Sequence, residues 1–344
     1  MFIFDNITWE KVNNEEHLWI DKPCCFYGQQ DNPNNADLKR ANQVGNYGTL
    51  IERLSEVKKA RNNSNGKVRL ADNNSKLRGY GAGLALIGQF NNAELLYFPQ
   101  RDAGAPGDRL IWDVCAGRTT YKDESPNYFH RMIMEGLEEI TFVINNQLVI
   151  PCLDNTLKEM IDSKEVETIV TRNAKILGIE SEKNIYIPFN YTPPKNACTI
   201  HQILEDGSEI AMKANWGIEA KYSGLELMSY ALLDFKQNPD NLQAYDGEEF
   251  APGKMCNREI HEINPKSGKI HVFQKGKIIR QGTVTSEINR RNKLREQHDY
   301  SKDRPGLMPI PNYPASIKAD MLTKQNAWPL NFDISALEEI QFRD

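Results

Sequence analysis

The spacing of hydrophobic and polar positions changes rhythm several times along the chain, and each rhythm predicts an element. Near the start, Leu54 and Val57 fall on one helical face behind Thr49-Leu50-Ile51-Glu52, a capping-box pattern. Lys58, Lys59 and Arg61 suit the last turn of that helix, where the carbonyl end attracts cations. Asn62-Asn63-Ser64-Asn65-Gly66 and Asn73-Asn74-Ser75 are loop chemistry. They separate an α/β lead-in, residues 1–76, from a domain that begins at residue 77. From Tyr80 the pattern turns to strand: Ala82–Ile87 is a continuous apolar run, Asn91-Asn92 is a turn, and Glu94–Phe98 returns. Leu110–Val114 is a short strand, and Ser125-Pro126 opens a helix with serine as cap and proline in the first turn.

Further on, about Thr156 to Leu177 is amphipathic with helical period. Ile185–Phe189, Thr199–Leu204, Ile210–Trp216 and Leu225–Phe235 read as strands, with Asp206-Gly207 as a hairpin turn. Lys269–Phe273 and Lys277–Ile279 flank a second hairpin turn, Gln274-Lys275-Gly276. The tail from Pro305 is rich in proline and reads as an extended surface segment, residues 305–344. Doubled asparagines recur throughout and read as compositional bias. No internal repeat is visible.

Composition narrows the class. A chain of 344 residues with 40% hydrophobic positions can bury a large core. A net charge of −5 is mild and gives no global basic field for nucleic acid. No run approaches the roughly 18 apolar residues of a spanning helix, and Met1-Phe2-Ile3-Phe4-Asp5 lacks the layout of a secretory signal. Cys24, Cys25, Cys115, Cys152, Cys198 and Cys256 form no CxxC pair, which fits reduced thiols and argues against a structural zinc site. The expectation is a cytoplasmic protein with no membrane partner.

Chemistry concentrates between Gly117 and Glu139. The segment reads Gly117-Arg118-Thr119-Thr120-Tyr121-Lys122-Asp123, seven residues, then Arg131-Met132-Ile133-Met134-Glu135-Gly136. This resembles the box of the Nudix superfamily: Gly, five residues, Glu, seven residues, Arg-Glu-apolar-x-Glu-Glu-x-Gly. The flanks match as well. Leu95-Leu96…Arg101 resembles the family's strand ending in arginine, Trp112…Ala116-Gly117 its Trp-x-x-Pro-Gly-Gly entry, and Asp123-Glu124-Ser125-Pro126 its helix entry. The resemblance covers residues 80–140 and implies a Nudix-like α/β/α sandwich with a mixed sheet at 77–304. That domain would carry the N-terminal extension and a large insertion near 145–205.

In that family the box glutamates bind a divalent cation, usually magnesium, at a pyrophosphate. Dense negative charge needs a hard cation on oxygen ligands while water attacks. Here Asp123 stands for the first glutamate, Met132 removes a carboxylate, Glu135 is retained, and Gly136 replaces the adjacent ligand. On a helical wheel of about 100° per residue, Glu139 falls among Met132, Glu135 and Gly136, one turn along. Phe129, Ile133 and Leu137 form an adjoining apolar stripe. The resemblance and the wheel together assign Asp123, Glu135 and Glu139 to Mg2+ or Mn2+, and Arg101, Arg131 and Trp112 to substrate. Glu135 and Glu139, with Glu249 from the acidic turn Asp246-Gly247-Glu248-Glu249 as base, are the catalytic candidates. Each has a plainer reading as a solvated charge or a structural ion-pair partner.

Other features are weaker. Glu259 and His261 would share one face of a strand while Glu262 points away. Gly79, Gly81 and Gly83 lack the strand–turn–helix context of a dinucleotide loop. Asn289-Arg290-Arg291-Asn292-Lys293-Leu294-Arg295 leaves a phosphate backbone open as a partner, although a solvated helix face is the preferred reading. Three function classes emerge. One is a metal-dependent hydrolase cleaving the pyrophosphate of a nucleoside diphosphate derivative. The second is a non-hydrolytic Nudix-like module that binds or senses a nucleotide or modified base. The third is a Nudix-like enzyme with different nucleotide chemistry. The partner in each is a nucleotide-type small molecule, and the resemblance adds a homodimer as the expected assembly.

Overall fold

The computed structural model describes 2–4, 7–20, 23–25, 68–71, 77–78, 80–90, 93–100, 112, 114–118, 127–160, 163–180, 184–193, 197–204, 206–219, 224–236, 241–247 and 258–297. The helix expected behind Thr49, the Asn91-Asn92 turn and the proline-rich tail lie outside these residues.

The strands open with β1 (Phe2–Phe4), β2 (Ile7–Val12), β3 (Glu15–Ile20), β4 (Pro23–Cys25), β5 (Val68–Ala71) and β6 (Leu77–Arg78). Next come β7 (Tyr80–Phe90), β8 (Ala93–Pro99), β9 (Cys115–Arg118), helix α1 (Tyr128–Glu139), β10 (Ile140–Ile144) and β11 (Gln147–Cys152). Helices α2 (Asn155–Met160) and α3 (Ser163–Leu177) precede β12 (Ile185–Thr192), β13 (Cys198–Ile203), β14 (Glu209–Glu219), β15 (Gly224–Lys236) and β16 (Leu242–Asp246). The described chain closes with β17 (Ile260–Asn264), β18 (Lys269–Gln274), β19 (Lys277–Thr283) and α4 (Val284–Gln297). Among the described residues the architecture is mixed α/β and mostly strand. Among the described residues no helix is long and apolar enough to cross a membrane.

Two compact units divide the chain: Met1–Gly83, Gly117–Met132 and Pro193–Ser229 form one, and Leu84–Ala116, Ile133–Thr192 and Tyr230–Asp344 the other. In the first, β2 and β3 form a hairpin, β3 runs parallel to β13, and β13 pairs antiparallel with β14. Alternation places Trp9, Leu18, Ile20, Ile200, Met212 and Ala214 on the buried face. The opposite face carries a cross-strand ladder in which Trp19 and His201 stack at 4.7 Å and His17 meets His201 at 2.9 Å.

In the second unit, β8 pairs with β7 and β17, and β18 joins β17 to β19, all antiparallel. Strand β10 pairs antiparallel with β11 and β16, while β11 runs parallel to β12. Phe189 of β12 stands opposite Leu233 of β15. Helix α3 lies over β10 and β11, where Ala174 and Ile179 join Val143, Leu148 and Ile150 in one buried cluster. All five residues of β10 are buried, four of them apolar and the fifth Thr141.

Local chemistry explains the ends of the elements. The cap of α1 is Asn127, whose side-chain oxygen accepts from the N–H groups of Phe129 and His130 at 2.9 and 3.1 Å. The helix therefore begins two residues beyond the expected Ser125-Pro126 start. The amphipathic stretch from Thr156 is two helices, and Asp154 caps the first by accepting from Leu157 N–H at 2.8 Å. The doubled asparagines have a structural reason. Asn13-Asn14 turns β2 into β3 with φ of 51° and 67°, and Asn145-Asn146 turns β10 into β11 with φ of 49° and 61°. Two-residue hairpin turns need positive φ at both positions, and asparagine tolerates it. At least these two pairs are turn signals and not bias.

Candidate functional site

Helix α1 carries the box residues. It is buried almost all round: Met132, Ile133, Met134, Glu135 and Glu139 are each at most 4% exposed. Gly136 is packed so closely that an added Cβ would stand 2.8 Å from Leu84 Cδ2. The positions where the resemblance lacks carboxylates, Met132 and Gly136, are thus core positions, and a side chain at Gly136 would require Leu84 to shift. Glu135 and Glu139 are buried too, one turn apart on this helix.

Glu139 has a defined partner. The Arg258 guanidinium reaches it through Nη1 at 3.2 Å and grips Asp246 through Nη2 at 2.7 Å. Arg258 Nε and its backbone N–H also donate to Asp246, at 3.1 Å each at their shortest. The three groups come from the end of α1, the end of β16 and the approach to β17. The side chains of Glu139, Asp246 and Arg258 are 6%, 1% and 13% exposed, so the contacts work in a low-dielectric setting where geometry matters.

A second constellation surrounds Trp112 and β17. The indole N–H of Trp112 donates to His261 Nδ1 at 2.8 Å, and His261 Nε2 lies 3.1 Å from Glu259 Oε2. Arg280 also donates to that carboxylate, and Arg290 reaches it at 3.3 Å while gripping Glu287 at 2.5 Å. Burial alone would raise the Glu259 carboxyl, but hydrogen bonds from His261 and Arg280 outweigh it and hold it at about 2. Glu287 is lowered in the same way: burial opposes, and Arg290 and Arg280 prevail. As the strand alternation predicts, Glu262 faces the other way, accepting from the Tyr97 hydroxyl at 2.8 Å and meeting His271 Nδ1 at 2.7 Å.

Glu259, His261 and Glu287 bring ligand-type atoms within 4.8 Å of one another, the one such trio among the described residues. Hydrogen-bond logic argues against a metal there. Indole N–H only donates, so Nδ1 of His261 must accept, and the ring proton sits on Nε2, the atom facing Glu259. A cation at Nε2 would have to displace that proton. Two arginines already balance the two carboxylates. The trio is an ion-pair knot joining β17, β19 and α4.

Of the residues singled out in the sequence, Glu135, Glu139, Arg131 and Trp112 are placed, and Arg101, Asp123 and Glu249 lie outside the described residues. Trp112 is 6% exposed with its N–H engaged by His261, and Arg131 is half-buried in the first half of α1. No sequence pattern marks Arg258, Arg280 or Glu287, and Arg290 stands out only as part of a basic run. Arg258 and Glu139 are 119 positions apart, and no local pattern announces such a pair. No family model, no curated protein and no solved structure matches the chain.

Proposed function

We propose that this chain is a metal-dependent hydrolase cleaving the pyrophosphate of a nucleoside diphosphate derivative, on a Nudix-like sandwich. The observation that carries the reading is the pair Glu135 and Glu139. Both are buried carboxylates on a helix that follows the strand bearing Gly117, Glu135 in the register of the box and Glu139 one turn further along. Carboxylate oxygens are the donor type a hard cation takes. Magnesium commonly takes one or two protein carboxylates and fills its remaining positions with water and substrate phosphate. Glu135 and Glu139 would hold it, and Arg258 would fix the Glu139 carboxylate in place. When bound, the cation would neutralise the pyrophosphate and polarise it toward attack by water.

A second reading, a non-hydrolytic nucleotide-binding module, is favoured by the core packing of Met132 and Gly136 and by the sharing of Arg258 between Glu139 and Asp246. One pair of experiments separates them. Titration calorimetry with Mn2+ and a nucleotide panel read by mass spectrometry are expected to give cation binding at millimolar concentration or tighter and nucleoside monophosphate as product. Glu135→Gln is expected to lower turnover by roughly 100-fold, as for loss of a group that acts on the transition state. Intact nucleotides and no cation binding would overturn the hydrolase and favour the module. Released base or sugar with the pyrophosphate untouched would indicate different nucleotide chemistry.

A further inference from the structure

Beneath α3, a cleft partly open to solvent sits inside the second unit. Its walls are apolar: Ile169 and Val170 of α3, Phe142 and Leu148 of the β10–β11 hairpin, Phe189 of β12 and Leu233 of β15. Two polar side chains interrupt them. Asn173 follows Ile169 by one helical turn on the inner stripe of α3 and is 2% exposed, and Thr141 of β10 is 5% exposed. Asn173 donates one amide hydrogen to Thr141 Oγ1 at 2.8 Å, and its oxygen accepts from Arg172 Nε at 3.0 Å.

Counting hydrogens shows what remains. A side-chain amide has two N–H donors, and a threonine hydroxyl has one O–H. Asn173 spends one donor on Thr141, and Thr141 acts as acceptor in that bond. Among the described residues, the second Asn173 N–H and the Thr141 O–H meet no acceptor. Buried donors seek partners, and both belong to residues lining the cleft. Charge is absent from the lining, so an ionic ligand would lose hydration without compensation.

We propose that this cleft is a binding site for a small, neutral, largely apolar molecule carrying one hydrogen-bond acceptor, such as an aryl ketone or ether. Its ring or alkyl body lies against Ile169, Val170, Leu148 and Phe189. Its acceptor oxygen takes the second N–H of Asn173 or the O–H of Thr141. The apolar body supplies affinity, and the paired donors orient it, the usual division of labour in small-molecule pockets. The proposal does not depend on the metal reading, because the cleft needs neither cation nor nucleotide.

A matched probe series tests it on the full chain by ligand-observed NMR and calorimetry, with acetophenone, ethylbenzene and benzoate. Acetophenone is expected to bind about tenfold more tightly than ethylbenzene, the worth of one well-made hydrogen bond in a dry site. Benzoate is expected not to bind. The isosteric Thr141→Val, combined with Asn173→Leu, is expected to abolish the preference for acetophenone and leave ethylbenzene unchanged. Val170→Phe, which fills the cleft, is expected to remove both. No binding of either neutral probe at its solubility limit overturns the proposal. So does equal affinity for the two in the unaltered chain, a result that needs no variant to fold.

Discussion

At Trp112 the indole N–H can only donate, and that single fact sets the protonation of a buried histidine. Because Nδ1 of His261 accepts at 2.8 Å, its proton resides on Nε2 and points at Glu259. Replacing Trp112 by Phe keeps an aromatic ring but removes the donor. The expected result is a loss of roughly 1–3 kcal/mol in chemical denaturation, the cost of stranding a buried acceptor. Nitrogen-15 spectra should show the Nε2–H tautomer of His261 in the unaltered chain; an Nδ1–H signal there would refute the assignment. The same knot has a pH signature. Glu259 is depressed from an ordinary value of 4.5 to about 2. A depressed carboxyl stabilises the fold above its unfolded pKa and loses that contribution as pH falls through its folded value. The melting-temperature gap between the parent and Glu259→Gln is therefore expected to be constant above pH 4.5 and to close toward pH 2. A gap that stays open at the acid end would show that Glu259 acts through packing and not through its charge.

Elements are legible in the sequence where one local rule acts alone. The strands β7, β8 and β12–β15 and the hairpin turns at Asp206-Gly207 and Lys275-Gly276 are readable there, because apolar runs, alternation and turn residues are short-range signals. Strands β10, β11 and β16 are not. The first continues directly from α1 without a loop, so no breaker marks the change of period, and β16 is too short to declare an alternation. The position of α1 is readable but its inner face is not, since a wheel shows which residues align and not what they pack against. Turn chemistry yields the prediction at this scale. Gly276 has φ of 72°, and an added Cβ would overlap the ring of Tyr245 in β16. Gly276→Ala combines a left-handed backbone with a clash, so a loss of roughly 1–3 kcal/mol is expected in urea unfolding. By contrast, Asn146→Gly keeps the positive φ that turn requires and is expected to be neutral or mildly stabilising. Equal losses at both sites would refute the turn argument.

For the molecule as a whole, long-range ion pairs do what no local pattern can announce. Arg258 ties together the end of α1, the end of β16 and the start of β17, segments that are distant in sequence. Such a tie does not raise stability merely by existing, because removing three charged groups from water costs about as much as their attraction returns. What it does is penalise any rearrangement that separates the partners. Arg258→Leu withdraws the guanidinium and leaves Glu139 and Asp246 facing each other's charge at 6% and 1% side-chain exposure. The expected loss is about 3–5 kcal/mol, seen as a lower urea midpoint with an unchanged slope. Adding Glu139→Gln and Asp246→Asn to the same chain should recover part of it, since the uncompensated charges are then gone. That recovery separates an electrostatic tie from simple loss of packing, which the extra substitutions would worsen. If Arg258→Leu stays within about 1 kcal/mol of the parent, the range of ordinary surface pairs, the contact is incidental and Glu139 is held in place by something else.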